Sequence, residues 1–170
     1  MIQIIQASTP GQFASGRRLF DEYAASLPFD LDFQDFATEL RNLRNIYSPP
    51  NGALLLAVDA AYGHDSNAAR AGCIALRELE QSDDGIRTGE VKRLYVPDEY
   101  RGRKIGQALT GEIIKTARKL GFAVLRLDSM GFMQSAIAIY RSFGFAEIAA
   151  YRYNPFADAV YMELRLDQDR

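Results

Sequence analysis

The chain has 170 residues, 48% of them hydrophobic and 25% charged, with a formal net charge of −2 and a single cysteine. That size and balance fit one domain spanning residues 1–170, with one substantial core. The slight acidity weighs against nucleic acid or an anionic membrane as the main partner, Cys73 alone can build neither an internal disulfide nor a cysteine-rich metal site, and no apolar run reaches the length of a membrane span.

The N-terminal stretch M-I-Q-I-I-Q-A-S-T-P lacks the basic flank and apolar length of a signal peptide, so a cytoplasmic protein is expected. Ile2 to Ala7 reads as a first strand. Ser8-Thr9-Pro10 then opens a helix, with a hydroxyl cap and a proline in the first turn; Phe13, Phe20, Tyr23, Ala24 and Leu27 follow at helical spacing before Pro28. A second helix is expected from Asp32, its cap, with Phe33, Phe36, Leu40 and Leu43 on one face. After Pro49-Pro50-Asn51-Gly52 the period changes. Ala53 to Asp59 and Ala71 to Glu78 read as strands, separated by a small polar loop that holds the only histidine, His64, with no metal partner at ligand spacing. Cys73 reads as a small buried hydrophobe. Ser82-Asp83-Asp84-Gly85 is a hairpin turn into a strand ending at Val96.

Ile105, Leu109, Ile113, Ala117 and Leu120 form the stripe of the next helix, which Gly121 caps. The strand Ala123–Leu127 follows this crossover helix, so it should lie parallel to the strand ending at Val96. A short helix from Ser135 to Ser142, a strand from Phe145 to Ile148, and a final alternating strand through Val160, Met162, Leu164 and Leu166 complete the chain. The expected fold is a mixed α/β sheet in the order β-α-α-β-β-β-α-β-α-β-β.

Glu90 to Gly106, E-V-K-R-L-Y-V-P-D-E-Y-R-G-R-K-I-G, organises the rest. A strand feeds a turn with Arg101, Arg103 and Lys104 around Gly102, and the turn opens a helix. The free N–H groups and positive dipole end of such a helix suit an anion, so the turn reads as a phosphate site.

These residues carry a resemblance to the GNAT superfamily of N-acetyltransferases. Leu94-Tyr95-Val96 followed by R-G-R-K-I-G stands where that family has a strand end and R-G-x-G-x-G, and Ala136, Tyr140, Gly144 and Phe145 stand where it has A-x-x-x-Y and G-F. The chain departs from the pattern at two positions. Lys104 replaces the second loop glycine, and is expected already inside the first helical turn, where a lysine is unstrained. Met133 replaces an asparagine that touches the cofactor in many members.

The resemblance implies the GNAT-like acyl-CoA N-acyltransferase fold, with acetyl-CoA as co-substrate and transfer of its acetyl group to a primary amine of a small molecule or peptide by direct attack. It also implies that Arg101, Gly102, Arg103, Lys104, Ile105 and Gly106 receive the phosphates. A strand bulge carried over to Leu94, Tyr95 and Val96 would aim backbone N–H groups at the thioester carbonyl, and Met133 would flank the cofactor. Tyr140 falls at the position of the general acid beside the sulfur. A phenol near pKa ~10 is a weaker acid than a thiol near ~8.5, so its expected task is mainly a hydrogen bond to the thiolate; a packed core tyrosine is the plainer reading. Glu90 matches a family glutamate that takes the amine proton, set against a solvated glutamate at a strand start. The acidic stretch Asp21, Glu22, Asp30, Asp32, Asp35 and Glu39 would attract a cationic amine, set against solvated helix faces. Tyr151 to Phe156 lines the acceptor pocket or packs under a loop. A homodimer through the final strands is compatible with the pattern, and a catalytically silent acyl-CoA-binding sensor or regulatory module is the competing function.

Overall fold

The computed structural model describes residues 1–62, 70–79 and 84–166; His64 and the Ser82–Asp83 half of the expected hairpin turn lie outside them. Along the chain run β1 (Ile2–Gln6), α1 (Pro10–Ser26), α2 (Phe36–Arg41), α3 (Leu43–Ile46), β2 (Gly52–Asp59), β3 (Arg70–Glu78), β4 (Thr88–Tyr95), α4 (Ile105–Lys119), β5 (Val124–Met130), α5 (Gln134–Ser142), β6 (Ala146–Ile148) and β7 (Ala159–Arg165).

Local chemistry sets the first boundaries. Thr9 caps α1 through a reciprocal pair: the Gln12 N–H donates to Thr9 Oγ1 at 3.2 Å and the Thr9 N–H to Gln12 Oε1 at 3.1 Å. Pro10 sits in the first turn, and Leu27, before Pro28, turns extended. The single helix expected from Asp32 is broken. Asp32–Gln34 is one 3₁₀ turn, Asp35 adopts a left-handed conformation (φ 53°), and Asn42 separates α2 from α3. Aspartate tolerates left-handed backbone, so the apolar spacing survives while the axis does not.

The seven strands form one sheet, ordered β1-β2-β3-β4-β5-β7-β6. All neighbours are antiparallel except β4 and β5, which are parallel, as the crossover through α4 requires. That parallel pairing is short: Thr88↔Val124, Gly89↔Leu125 and Glu90↔Arg126. Beyond it β4 stays with β3 as far as Cys73↔Tyr95, while β5 stays with β7 as far as Met130↔Ala159. The C-terminal halves of β4 and β5 therefore part in the middle of the sheet.

Helices cover both faces. On one, Ile105, Leu109, Ile113 and Ala117 of α4 pack on Leu55, Ile74, Leu76 and Val91. On the other, Phe13, Leu19 and Phe20 of α1 and Leu43 of α3 pack on Leu54, Leu56, Cys73 and Ala75. Each such large apolar side chain contributes about 1.5–3 kcal/mol by leaving water. Burial pushes the Cys73 thiol up in pKa, consistent with an inert core residue. Among the described residues no helix is long and apolar enough to cross a membrane.

Candidate active site

The divergence of β4 from β5 coincides with a β-bulge. Ala75 pairs with Lys92 but Cys73 pairs with Tyr95, so Arg93 and Leu94 stand opposite Ile74 alone. The bulge thus begins one residue before the expected Leu94–Val96 segment. Arg93 adopts φ 60°, a left-handed conformation that costs a non-glycine residue about 1–3 kcal/mol unless its surroundings enforce it.

The enforcement is visible. Nε and Nη2 of Arg93 donate to Oε2 of Glu39 on α2, at 3.1 and 2.9 Å, and the hydroxyl of Tyr47 donates to the other Glu39 oxygen. Both charged side chains are buried, at 3% and 4% exposure. The rings of Phe36 and Tyr23 lie 5.1 and 5.8 Å from the guanidinium carbon. Cys73 Sγ donates to the Arg93 carbonyl at 3.3 Å. Glu39 therefore faces inward, and is lost from the acidic stretch expected to meet a cationic substrate; Asp21, Glu22, Asp30, Asp32 and Asp35 remain exposed.

After β4 the chain makes a 3₁₀ turn at Asp98–Tyr100 and reaches the basic loop. Arg101 is partly held by that turn, its Nη1 2.7 Å from Asp98 Oδ1 and its Nε donating to the Val96 carbonyl at 3.2 Å. The Arg103 guanidinium lies 5.3 Å over the Tyr100 ring. Gly102 has φ +76°, with no heavy atom near the place of a Cβ, so it serves the turn rather than a close approach. At Gly106 a Cβ would meet Ile139 Cδ1 at 3.1 Å, so that glycine serves the α4–α5 contact.

Lys104 corrects an expectation. It is not in the first helical turn but at the N-cap of α4, with φ 60°, and its side chain makes no capping hydrogen bond. The turn needs left-handed backbone at this position. Lys104 carries that strain, and the N–H groups opening α4 at Ile105 and Gly106 have no side-chain cap.

Where β4 and β5 begin to part, the structure brings near residues from distant parts of the chain. Tyr140 on α5 is buried against Phe145, its hydroxyl without a protein partner among the described residues; burial, then the neighbouring Tyr23 and Asp128, push its pKa up. Met133 precedes α5, and its sulfur accepts from Ser129 Oγ at 3.4 Å. Glu90 is fully buried, which excludes the solvated reading. Its oxygens accept from the Tyr151 hydroxyl at 2.8 Å and from Arg152 Nη1 at 3.2 Å, with Lys92 Nζ at 3.6 Å. Arg152 also donates to Asp128 Oδ1 at 3.0 Å, and Asn154 to Asp128 Oδ2 at 3.2 Å. Tyr151 and Arg152 thus pack down onto the strands as one wall of the opening. Lys92, Arg93 and Asp128 were not among the residues expected at the site, and Glu39 was expected only as part of the acidic stretch facing the substrate. The legible signal for the first two is a central strand with Glu90, Lys92 and Arg93 inside it, where a buried strand should be apolar.

The acetyltransferase (GNAT) family model matches residues 17–145. An uncharacterised N-acetyltransferase of Schizosaccharomyces pombe is 34% identical over 98% of this chain and 96% of its own length. The chain belongs to the GNAT family of acetyltransferases. As a member it is an acyltransferase, and a second uncharacterised N-acetyltransferase, from Dictyostelium discoideum, is 29% identical over 87% of this chain and 92% of its own. A GNAT-family acetyltransferase of Staphylococcus aureus shares the fold with a TM-score of 0.72 at 22% identity, covering 98% of this chain and 99% of that one. A protein of Salmonella typhimurium, solved with its cofactor acetyl-CoA, superposes with a TM-score of 0.68 at 18% identity, covering 98% and 95%.

Substitutions at two positions test the physical reading of this GNAT site. Glu39→Ala leaves a buried arginine uncompensated and should lower the unfolding free energy by about 3–5 kcal/mol in urea melts. Lys104→Gly relieves the left-handed strain and should raise it by about 1 kcal/mol, whereas Lys104→Ala, which keeps the Cβ, should not.

Proposed function

We propose that residues 1–170 act as one domain that transfers the acetyl group of acetyl-CoA to a primary amine of a small molecule or peptide by direct attack. The observation that carries this reading is the parting of β4 from β5, with the uncapped, basic start of α4 at the end of β4. All seven strands belonging to one sheet supports the single-domain reading.

The residues fit such a co-substrate. Left-handed Gly102 has open space beside it, and Arg101, Arg103 and Lys104 line the approach to the N–H groups at Ile105 and Gly106, which no side chain caps among the described residues; together they would hold the phosphates. The backbone of Leu94, Tyr95 and Val96, on the edge released from β5, would pair with the extended arm of the co-substrate, and Met133 would flank it. Acetyl-CoA supplies an activated acyl carbon and a thiolate leaving group. The bulge at Arg93–Leu94 turns β4 backbone toward the opening, where an N–H donor would stabilise the oxyanion; such a donor is worth about 10²–10³ in rate. Tyr140 would donate its hydroxyl to the departing sulfur, and its raised pKa keeps the proton available for a hydrogen bond at neutral pH. Glu90 anchors the wall made by Tyr151 and Arg152.

Acetyl-CoA at about 100 times its dissociation constant should stabilise the fold by about 2.7 kcal/mol in thermal denaturation, and thiol release should follow with some member of a primary-amine panel. No stabilisation by any acyl-CoA overturns the reading; stabilisation without turnover on any amine leaves a binding module. Tyr140→Phe should lower kcat about 10- to 100-fold with acetyl-CoA affinity unchanged, as the loss of one hydrogen bond to a charged group demands.

A further inference from the structure

We propose that Lys92 is the group that takes the proton from the acceptor ammonium, with Glu90 as the carboxylate that positions it. The inference rests on the amine-acetylation reading above. Lys92 immediately precedes the Arg93 bulge, and its pairing with Ala75 puts its side chain on the α1 face of the sheet, the face that also carries Glu90. Its side chain is only 5% exposed, and its sole ion pair among the described residues is the 3.6 Å approach to Glu90.

The neighbouring cations are better served. Arg93 has the doubly donated Glu39 carboxylate, and Arg152 has both Glu90 and Asp128. The charges facing Lys92 are Glu90 and Arg93 from its own strand, Glu39 from α2 and Arg152 from the segment before β7; Arg126 of β5 is taken up by Glu163 at 2.9 Å. Burial first, then Arg93, pushes the Lys92 ammonium down to about 8, against the pull of Glu90 and Glu39. An alkyl ammonium titrates near ~10.4, so transfer to such a lysine runs uphill by only ~10²-fold, against ~10⁶-fold for an ordinary carboxylate near ~4.3.

The step balances within the reaction. Neutral Lys92 Nζ accepts one proton from R–NH₃⁺ and becomes the ammonium. The freed nitrogen pair forms the C–N bond to the thioester carbon, the C–S bond breaks with its pair on sulfur, and the second nitrogen proton goes to the thiolate. Lys92 then returns its proton to water.

The chain has four lysines, Lys92, Lys104, Lys115 and Lys119, so the ¹⁵Nζ signal missing from Lys92→Met identifies Lys92 directly. It should titrate near 8, and a midpoint above about 10, the unperturbed value, overturns the proposal. In kcat/KM profiles with the primary-amine panel, the ascending limb near that midpoint should vanish in both Lys92→Met and Lys92→Arg. Rates at pH 8 should fall ~10²–10⁴-fold. The Tm of Lys92→Met at pH 7 should not fall, because a poorly partnered buried ammonium has been removed. Glu90→Gln should keep the limb and move it to lower pH, since a neighbouring negative charge is gone. Activity restored by arginine, or a limb lost in Glu90→Gln and kept in Lys92→Met, overturns the proposal. No turnover on any amine overturns the amine-acetylation reading itself and the proposal with it, whereas turnover with an unchanged Lys92→Met limb overturns the proposal alone.

Discussion

The site depends on the buried pair between Glu39 and Arg93. An arginine in left-handed backbone on a central strand is unfavourable twice, once for the dihedral and once for the desolvated charge. Two hydrogen bonds to one carboxylate oxygen, the Tyr47 hydroxyl on the other and two aromatic rings over the guanidinium offset both costs. Such a pair is weak evidence for net stability, because well-packed apolar residues can serve as well. What it does here is geometric: it fixes where the bulge falls, and β4 leaves β5 directly before it, after Glu90. Without the bulge the parallel ladder has no evident reason to stop there.

The same pair connects the segment between α1 and β2 to the body of the protein. Glu39 sits in a short helix between α1 and β2, a segment broken by left-handed Asp35 and by Asn42. That irregular segment has few regular backbone bonds of its own, and its one buried charge is held by the central strand. The wall on the opposite side is fastened similarly, Arg152 bonding Glu90 of β4 and Asp128 of β5 across the opening. Both borders of the opening are therefore anchored by arginine–carboxylate bonds, a geometry suited to fixing orientation.

Much of this was legible in the sequence, for identifiable reasons. Element order followed from apolar periodicity and turn residues. The basic turn and the Tyr140 position followed from short motifs whose chemistry is local. Lys104 misled because the spacing of R-G-R-K-I-G does not say which residue is the N-cap; a lysine was placed where it would be comfortable, and the fold puts it where it is strained. Glu39 misled for a different reason. Charge runs on helices face water far more often than not, and its partner lies 54 residues away on another element. The joining of Lys92 and Glu90 to Arg152 and Asp128 was out of reach for the same cause, since the group is assembled from three separate parts of the chain.

The charge balance of that assembly gives Lys92 its sense. Around the opening stand three carboxylates, Glu39, Glu90 and Asp128, and two guanidiniums, Arg93 and Arg152. With Lys92 protonated the six side chains are neutral together; with Lys92 neutral they carry one net negative charge. On the proposed reading an arriving ammonium would restore neutrality, so a cationic substrate would be favoured by the form of the site that can accept its proton. Transfer to Lys92 then moves a positive charge from substrate to protein without changing the total in a poorly hydrated space, where a change in total charge would be costly. A carboxylate acting alone would have to lose its own charge in the same step, along with the ionic hydrogen bonds that hold Tyr151 and Arg152. On this proposal the Glu90 carboxylate serves by holding Tyr151, Arg152 and Lys92 in place.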